Sequence, residues 1–168
     1  MDCINAVTIV LILITAIICD IKFRRIPNWL NLTGLILGMA IGGFIGIQSL
    51  KLRFLGAILG LAIGIVMRAI GLCKAGDTKL ICALGALVGH PDILYCVMTI
   101  LVAGGIISLL FMIAKGILVE RMSRLGLHLK ICFLSQKLKA YHPSPKSSGE
   151  FPFSIPIACG TLVSTFLF

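Results

Sequence analysis

The sequence predicts an all-α membrane protein, a six-helix transmembrane bundle with its N-terminus outside and a short fourth helix. Of the 168 residues, 59% are hydrophobic and only 12% are charged, and the mean hydropathy is +1.12. Six apolar runs also follow one another along the chain. No soluble domain of this length could bury so much apolar surface in one core. We therefore expect a single integral membrane domain over residues 1–168.

The apolar runs indicate where the helices lie. They cover about residues 4–19, 30–47, 54–72, 80–88, 93–114 and 152–168. Most of them approach the roughly 20 residues that a helix needs to cross a bilayer. The fourth run is too short to cross alone, so we expect a partial span or a helix that tilts into the fifth. The start of the first run carries Asp2 and no Lys or Arg, which is unlike a secretory signal peptide, so we expect this run to stay attached.

The basic residues predict the orientation, because the cytoplasmic loops of membrane proteins hold the excess of Lys and Arg. With six spans and the N-terminus outside, thirteen of the 15 cations lie inside and only Lys51 and Arg53 lie outside. Seven of the thirteen form a predicted basic cytoplasmic loop at residues 115–151. Anionic lipid headgroups at the inner face explain the net charge of +9, so no nucleic-acid partner is predicted.

The seven cysteines and three histidines predict neither a metal site nor disulfides. The sequence contains no C-x-x-C motif. We expect the cysteines to pack as small apolar residues in the membrane interior. The sequence therefore predicts no cofactor.

Glycines recur every four residues in the second and third runs. They are Gly34, Gly38 and Gly42 in one, and Gly56, Gly60 and Gly64 in the other. Small residues at this spacing form a flat stripe on which another helix packs closely. The likeness between the two stripes covers only ten residues, so we interpret it as convergent packing rather than as an internal repeat.

Two of the six acidic residues, Asp20 and Asp77, are predicted to lie at the same side of the membrane. Asp20 follows the first run in "CDIKFRRIPNWLN", residues 19–31, and Asp77 precedes the fourth in "KAGDTKL", residues 74–80. Ionisable groups at membrane depth are costly unless paired, which favours a functional role. Each also has a structural alternative. Asp20 could pair with Arg24 four residues later, and Asp77 could cap the fourth helix.

Three segments, in order along the chain, resemble the prepilin peptidase family, membrane aspartyl proteases of the GxGD kind that process type IV pilin precursors. They are "DIKFRRIPN" after the first helix, "AGDTKL" before the short helix and "PFSIPIACG", residues 152–160. The resemblance implies a catalytic dyad of Asp20 and Asp77, no metal, and cleavage of prepilin or pseudopilin precursors. It also implies that cleavage takes place at the cytoplasmic face of the bacterial inner membrane.

The chain departs from the family pattern in two places. Lys74 stands where the first glycine of the family motif would fall. Only a short loop joins the first two helices, where longer members carry a cysteine-bearing insert linked with N-methylation of the product. The chain therefore resembles the short Tad or Flp pilus branch, and we expect protease activity without methyltransferase activity.

Two neighbouring aspartates would share one proton and titrate as a unit. Lys22, Arg24 and Arg25 follow Asp20 and favour its ionised form, so we expect Asp20 to be the base. Gly76 removes a side chain where a substrate strand would pass and is the predicted substrate-binding residue. Two alternatives stay open. One is a small ion- or proton-coupled transporter with the aspartates as a relay, and the other is a non-catalytic membrane subunit.

Overall fold

The described part of the chain is helical. The computed structural model describes residues 3–114, 116 and 153–167, and within these ranges it contains no strand. The helices are α1 (Cys3–Phe23), α2 (Asn28–Ile45), α3 (Ile47–Ala69), α4 (Ala75–Val88), α5 (Asp92–Ala114) and α6 (Ser154–Leu167). The predicted all-α fold with a short fourth helix is confirmed, since α4 has only 14 residues. The predicted basic loop at 115–151 lies outside the described residues, except for Gly116.

Four of these helices, α1, α2, α3 and α5, are long and apolar enough to cross a bilayer. Their outward faces carry large apolar side chains, such as Ile36, Phe44, Ile65 and Val102, each more than half exposed. Extended apolar faces of this kind suit contact with lipid rather than with water. The chain is therefore a multi-pass membrane protein. Because α4 and α6 have 14 residues each, the count of six spans and the orientation stay predictions.

The chain divides into two compact units, Met1–Gly104 with Pro152–Phe168, and Gly105–Phe151. The first unit contains a core of aliphatic side chains, among them Ile9, Leu13, Leu80, Leu84, Ile100 and Ile157. α4 contacts α1, α2 and α3, and nine of its 14 residues are buried. Protein therefore surrounds α4 on several sides, which explains why it need not be long enough to cross the lipid alone.

Five of the six stripe glycines face α4, and the sixth, Gly42, faces Leu50 and Arg53 of α3. A Cβ at Gly38 of α2 would lie 2.7 Å from the carbonyl oxygen of Ala86, and one at Gly60 of α3 would lie 2.7 Å from that of Ile81. The backbones approach so closely that no side chain fits between them. The predicted packing role of the stripes is confirmed, and their common target is the short helix that carries Asp77.

The connection between α2 and α3 is tighter than the apolar runs predict. Only Gly46, with φ of 142°, separates the two helices, so Lys51 and Arg53 lie in the first two turns of α3 rather than before it. Arg53 is buried, and its Nη1 donates to the carbonyl oxygen of Leu87 near the end of α4. The Asn5 side-chain amide donates to the same oxygen at 3.0 Å. The guanidinium of Arg53 and the amide of Asn5 thus both donate to a carbonyl oxygen at the C-terminal end of α4, and these hydrogen bonds hold that end in place.

Candidate active site

Asp20 lies in the last turn of α1, because the helix continues to Phe23, four residues beyond the apolar run. Its side chain is buried, with 8% of its surface exposed. The hydroxyl of Ser154 donates to Asp20 Oδ2 at 2.6 Å, and the Ser154 backbone N–H donates to the same oxygen at 3.4 Å. Ser154 is the first residue of α6. The carboxylate of Asp20 therefore lies at the N-terminus of α6, where the helix dipole favours negative charge.

The chain reverses directly after α1. Arg24 has φ of 52°, in the left-handed region that ends many helices, and its backbone N–H donates to the carbonyl oxygen of Asp20 at 2.8 Å. Pro27 then precedes α2 with an extended backbone. This short link brings Ile26 against Gly76, where an added Cβ would lie 3.3 Å from the Ile26 Cβ. The substrate-binding role of Gly76 stays a prediction, and the structure shows a packing role for it beside Ile26.

Asp77 is the third residue of α4 and is buried, with 3% of its surface exposed. The alternative in which Asp77 is the N-cap residue of the fourth helix is wrong, because Lys74 occupies the N-cap position. The Lys74 backbone N–H donates to Asp77 Oδ2 at 2.9 Å, as in the second half of a capping box. Lys74 has φ of −88° and ψ of 167°, a conformation open to every L-residue. The backbone at this position therefore does not require the glycine of the family motif.

The environment of Asp77 favours its protonated form. Asp77 lies at the start of α4, outside the four helices that are long and apolar enough to cross a bilayer, and burial raises its pKa from 3.8 to about 6. The hydrogen bond from the Lys74 N–H opposes this rise in pKa, the negative charge of Asp20 adds to it, and the charge of Lys74 opposes it. The effect of Asp20 on Asp77 is that expected of two carboxylates in one site.

The two aspartates line one cleft of about 360 Å³. Its other charged lining residues are Arg24, Arg25, Lys74 and Lys79. Lys79 Nζ donates to the Asn28 side-chain oxygen at 2.8 Å, which joins α4 to the start of α2. The cleft thus combines two acids, one of them with a raised pKa, and a set of cations that can stabilise developing negative charge.

Over residues 3–114, 116 and 153–167, no group of three or more His, Cys, Asp or Glu side chains could hold a metal ion. The expectation of metal-free chemistry stays a prediction. What this part of the chain offers for catalysis is acid and base chemistry by carboxyl groups.

Comparison with known protein families decides the class of the chain. The pattern of the type IV leader peptidase family matches residues 7–113, which is more than half of the sequence. The chain belongs to the type IV leader peptidase family. It is thus a protease of the prepilin leader peptidase type, as the resemblance predicted. No curated protein and no solved structure matches the chain.

The match to the leader peptidase family includes both aspartates but ends before α6. Ser154, the partner of Asp20, therefore lies outside the matched residues, and sequence reasoning assigned it no role. The signal available in the sequence was a serine at the start of an apolar helix, a residue type that often bonds at helix N-termini. That signal predicts a local contact, whereas Ser154 contacts a carboxylate 134 positions away.

Proposed function

We propose that this peptidase is an aspartic-type endopeptidase with Asp20 and Asp77 as its catalytic dyad. The observation that carries the proposal is that two buried carboxyl groups line one cleft, with the pKa of Asp77 raised to about 6 partly by the charge of Asp20. In a pair of this kind one member keeps a proton that the other has lost. That division supplies the acid and the base that peptide hydrolysis needs.

In the proposed mechanism Asp20 is the base and Asp77 is the acid. Asp20 takes a proton from a water molecule, whose oxygen attacks the carbonyl carbon of the scissile peptide bond. Asp77 donates its proton to the carbonyl oxygen, so the tetrahedral intermediate forms without a full negative charge. Collapse of the intermediate breaks the C–N bond as one of its hydroxyl protons returns to Asp77 and the proton held by Asp20 passes to the leaving amine. Ser154 holds the carboxylate of Asp20 in place throughout.

The proposed substrates are leader-bearing precursors of type IV pilins, or pseudopilins, of the Flp type, cleaved at the cytoplasmic face of the bacterial inner membrane. Family membership supports a prepilin-type substrate. The short link between α1 and α2 supports the Flp branch, since residues 24–27 leave no room for the insert of longer members. The excess of cations on one side supports the orientation and a partnership with anionic lipids.

The remaining alternative is a structural role, because each aspartate also binds a helix N-terminus. The substitutions Asp20→Asn and Asp77→Asn separate the two roles, because asparagine keeps a side-chain oxygen for the cap but cannot transfer a proton. Asp92→Asn is a matched control, since Asp92 is an exposed residue in the first turn of α5.

The test is co-expression with prepilin-type precursors, with the size shift of the precursor as the measurement. We expect each dyad variant to accumulate in the membrane. The cleavage rate should fall by about 1,000-fold or more, because removing one member of a catalytic unit costs nearly as much activity as removing the whole unit. Asp92→Asn should cleave as the wild type does. Substantial processing by either dyad variant would exclude the two-aspartate mechanism.

A further inference from the structure

A second concavity adjoins the dyad cleft. It has a volume of about 380 Å³ and lies among α2, α3 and α4, with an apolar wall that includes Leu32, Leu35 and Leu61. We call it the lateral groove. Leu32 and Leu61 are 56% and 40% exposed, so the groove opens on the outer surface of two helices that can cross the membrane. Its size is within the range of about 300–1,000 Å³ that is typical of ligand pockets.

The lateral groove lies directly beside the dyad cleft. Asn28 and Lys79 line both concavities, and the hydrogen bond between them crosses the junction. A chain segment that leaves the dyad and crosses over this hydrogen-bonded pair therefore reaches the groove next. The groove is thus placed to hold the part of a substrate next to the scissile bond.

One polar side chain in the wall of the groove, that of Asn31, has no hydrogen-bond partner within the described part of the chain. Asn31 is 6% exposed, and among residues 3–114, 116 and 153–167 neither its side-chain nitrogen nor its side-chain oxygen has a hydrogen-bond partner. Buried amides are almost always paired, because an unmade hydrogen bond in such a site costs free energy. Asn31 lies one turn beyond Asn28 on α2, about 4.5 Å further along the helix axis. The amide therefore marks a position near the dyad where a ligand can supply the missing bonds.

The chemistry of an amide limits what the ligand can be. Asn31 offers two donors and one acceptor oxygen, and lipid chains supply no hydrogen-bonding group. A transmembrane helix satisfies its own backbone internally, so an intact helix leaves Asn31 unpartnered as well. A locally unwound peptide offers a free N–H and a free carbonyl together. A substrate must unwind in this way beside a protease dyad to expose its scissile bond.

We propose that the lateral groove binds the apolar segment of the precursor that adjoins the scissile bond, and that Asn31 pairs with unwound peptide groups of that segment. The inference rests on the proposed function and deepens it. The distance from Asn28 to Asn31 corresponds to about one or two extended residues. Asn31 is then a substrate-binding residue that limits how far the precursor unwinds, while the dyad cleaves the exposed bond.

The first experiment measures cleavage kinetics of Asn31→Leu, which replaces the amide by an apolar side chain of similar size. Thr33→Val is the matched control, because Thr33 is on the same helix but its hydroxyl donates to the carbonyl of Leu30. Two synthetic precursor peptides serve as probes, one with the full apolar segment and one that ends directly after the scissile bond region. The melting temperature in detergent without peptide is measured in parallel.

We expect Asn31→Leu to raise KM for the long peptide about tenfold and to change kcat by less than about twofold. The short peptide should be cleaved equally by the variant and the wild type. The melting temperature of Asn31→Leu should be unchanged or higher, because an unpaired buried amide has been removed. An equal effect on both peptides, no effect on either, or a lower melting temperature would overturn the proposal.

The second experiment does not depend on cleavage. The Asp77→Asn variant is incubated with the long peptide carrying a photo-crosslinking residue in its apolar segment, and the attachment sites are mapped by mass spectrometry. We expect attachment to Leu32, Leu35 or Cys82 in the groove. Attachment to other surfaces, or a copurified lipid in the groove with no peptide attached there, would refute the proposal that the groove binds the precursor. If the wild type cleaves neither peptide while the groove is still labelled, the proposed catalytic function fails and the binding site stands.

Discussion

The contact between Ser154 and Asp20 makes a prediction about catalysis that the structure allows us to quantify. The Ser154 hydroxyl lies 2.6 Å from Asp20 Oδ2, and the serine is 1% exposed. A short bond from a buried hydroxyl to a carboxylate is charge-assisted and stronger than a neutral hydrogen bond. Substitution of Ser154 by alanine leaves the carboxylate with the weaker bond from the backbone N–H at 3.4 Å. The base is then held less firmly in its catalytic position.

A hydrogen bond to a charged group contributes about 1.5–3 kcal/mol. If the bond acts on the transition state, its loss lowers kcat/KM by about 10- to 150-fold, since each 1.36 kcal/mol is about tenfold in rate. We expect most of the loss in kcat, because Ser154 positions the base and does not contact substrate. The Ser154→Thr variant keeps the hydroxyl and should retain most of the activity.

The assay is cleavage of a prepilin-type peptide by purified protein in detergent, with kcat and KM measured over a range of pH. Thr15→Val is a control on the helix that carries Asp20, since the Thr15 hydroxyl donates within that helix to the carbonyl of Leu11. The reasoning would be refuted if Ser154→Ala kept the wild-type kcat while its melting temperature fell. That result would mean that Ser154 only holds α6 against α1 and does not position the catalytic base.

Three further predictions concern packing, pH and topology. Gly56→Ala should destabilise the fold strongly, because the new Cβ would collide with the Gly85 carbonyl oxygen, whereas Gly43→Ala, with open space around it, should stabilise by about 0.5–1 kcal/mol. Because the pKa of Asp77 is raised from 3.8 to about 6, its contribution to stability is complete below pH 3.8 and is lost as the pH rises through about 6. Asp77→Asn should abolish this slope. Reporter fusions should read cytoplasmic after Lys79 and external after Lys51.

Thermal unfolding in detergent checks the first two of these predictions, and reporter activity in intact cells checks the third. Equal melting temperatures for the two glycine variants would contradict the close approach of α3 and α4. A pH slope that survives in Asp77→Asn would belong to another group. An external reading after Lys79 would reverse the orientation and place the dyad at the opposite face.

Much of the fold could be predicted because apolar runs determine helices directly. The predicted runs lie within about five residues of five of the six described helices, and the largest difference is in α3, which begins at Ile47 rather than near residue 54. Polar residues interrupt the apolar pattern at the start of α3, and the last of them is Arg53. In the folded protein its charge is satisfied by the carbonyl of Leu87, so the helix can include it.

The candidate site could be predicted in part. Asp20 and Asp77 stand out because acids are rare in this chain, and the structure brings them into one cleft. The local role of Asp77 differs from the N-cap role that the sequence suggested. Asp77 is not the N-cap, because the helix begins earlier and Lys74 takes that position. Ser154 and Asn31 were missed, since nothing local distinguishes them from other small polar residues in apolar helices.

The sequence by itself determined that this chain is an all-α membrane protein of the leader peptidase family, with two rare acids at helix ends. Tertiary structure alone decided which helices contact each other, because the lipid-facing and the core-facing sides of a membrane helix are both apolar. The pattern of residues therefore cannot say that most of the stripe glycines pack on α4, or that α6 begins at the carboxylate of Asp20. It also cannot show that Asn31 has no hydrogen-bond partner among the described residues, because hydrogen-bond satisfaction depends on atoms that only folding brings together.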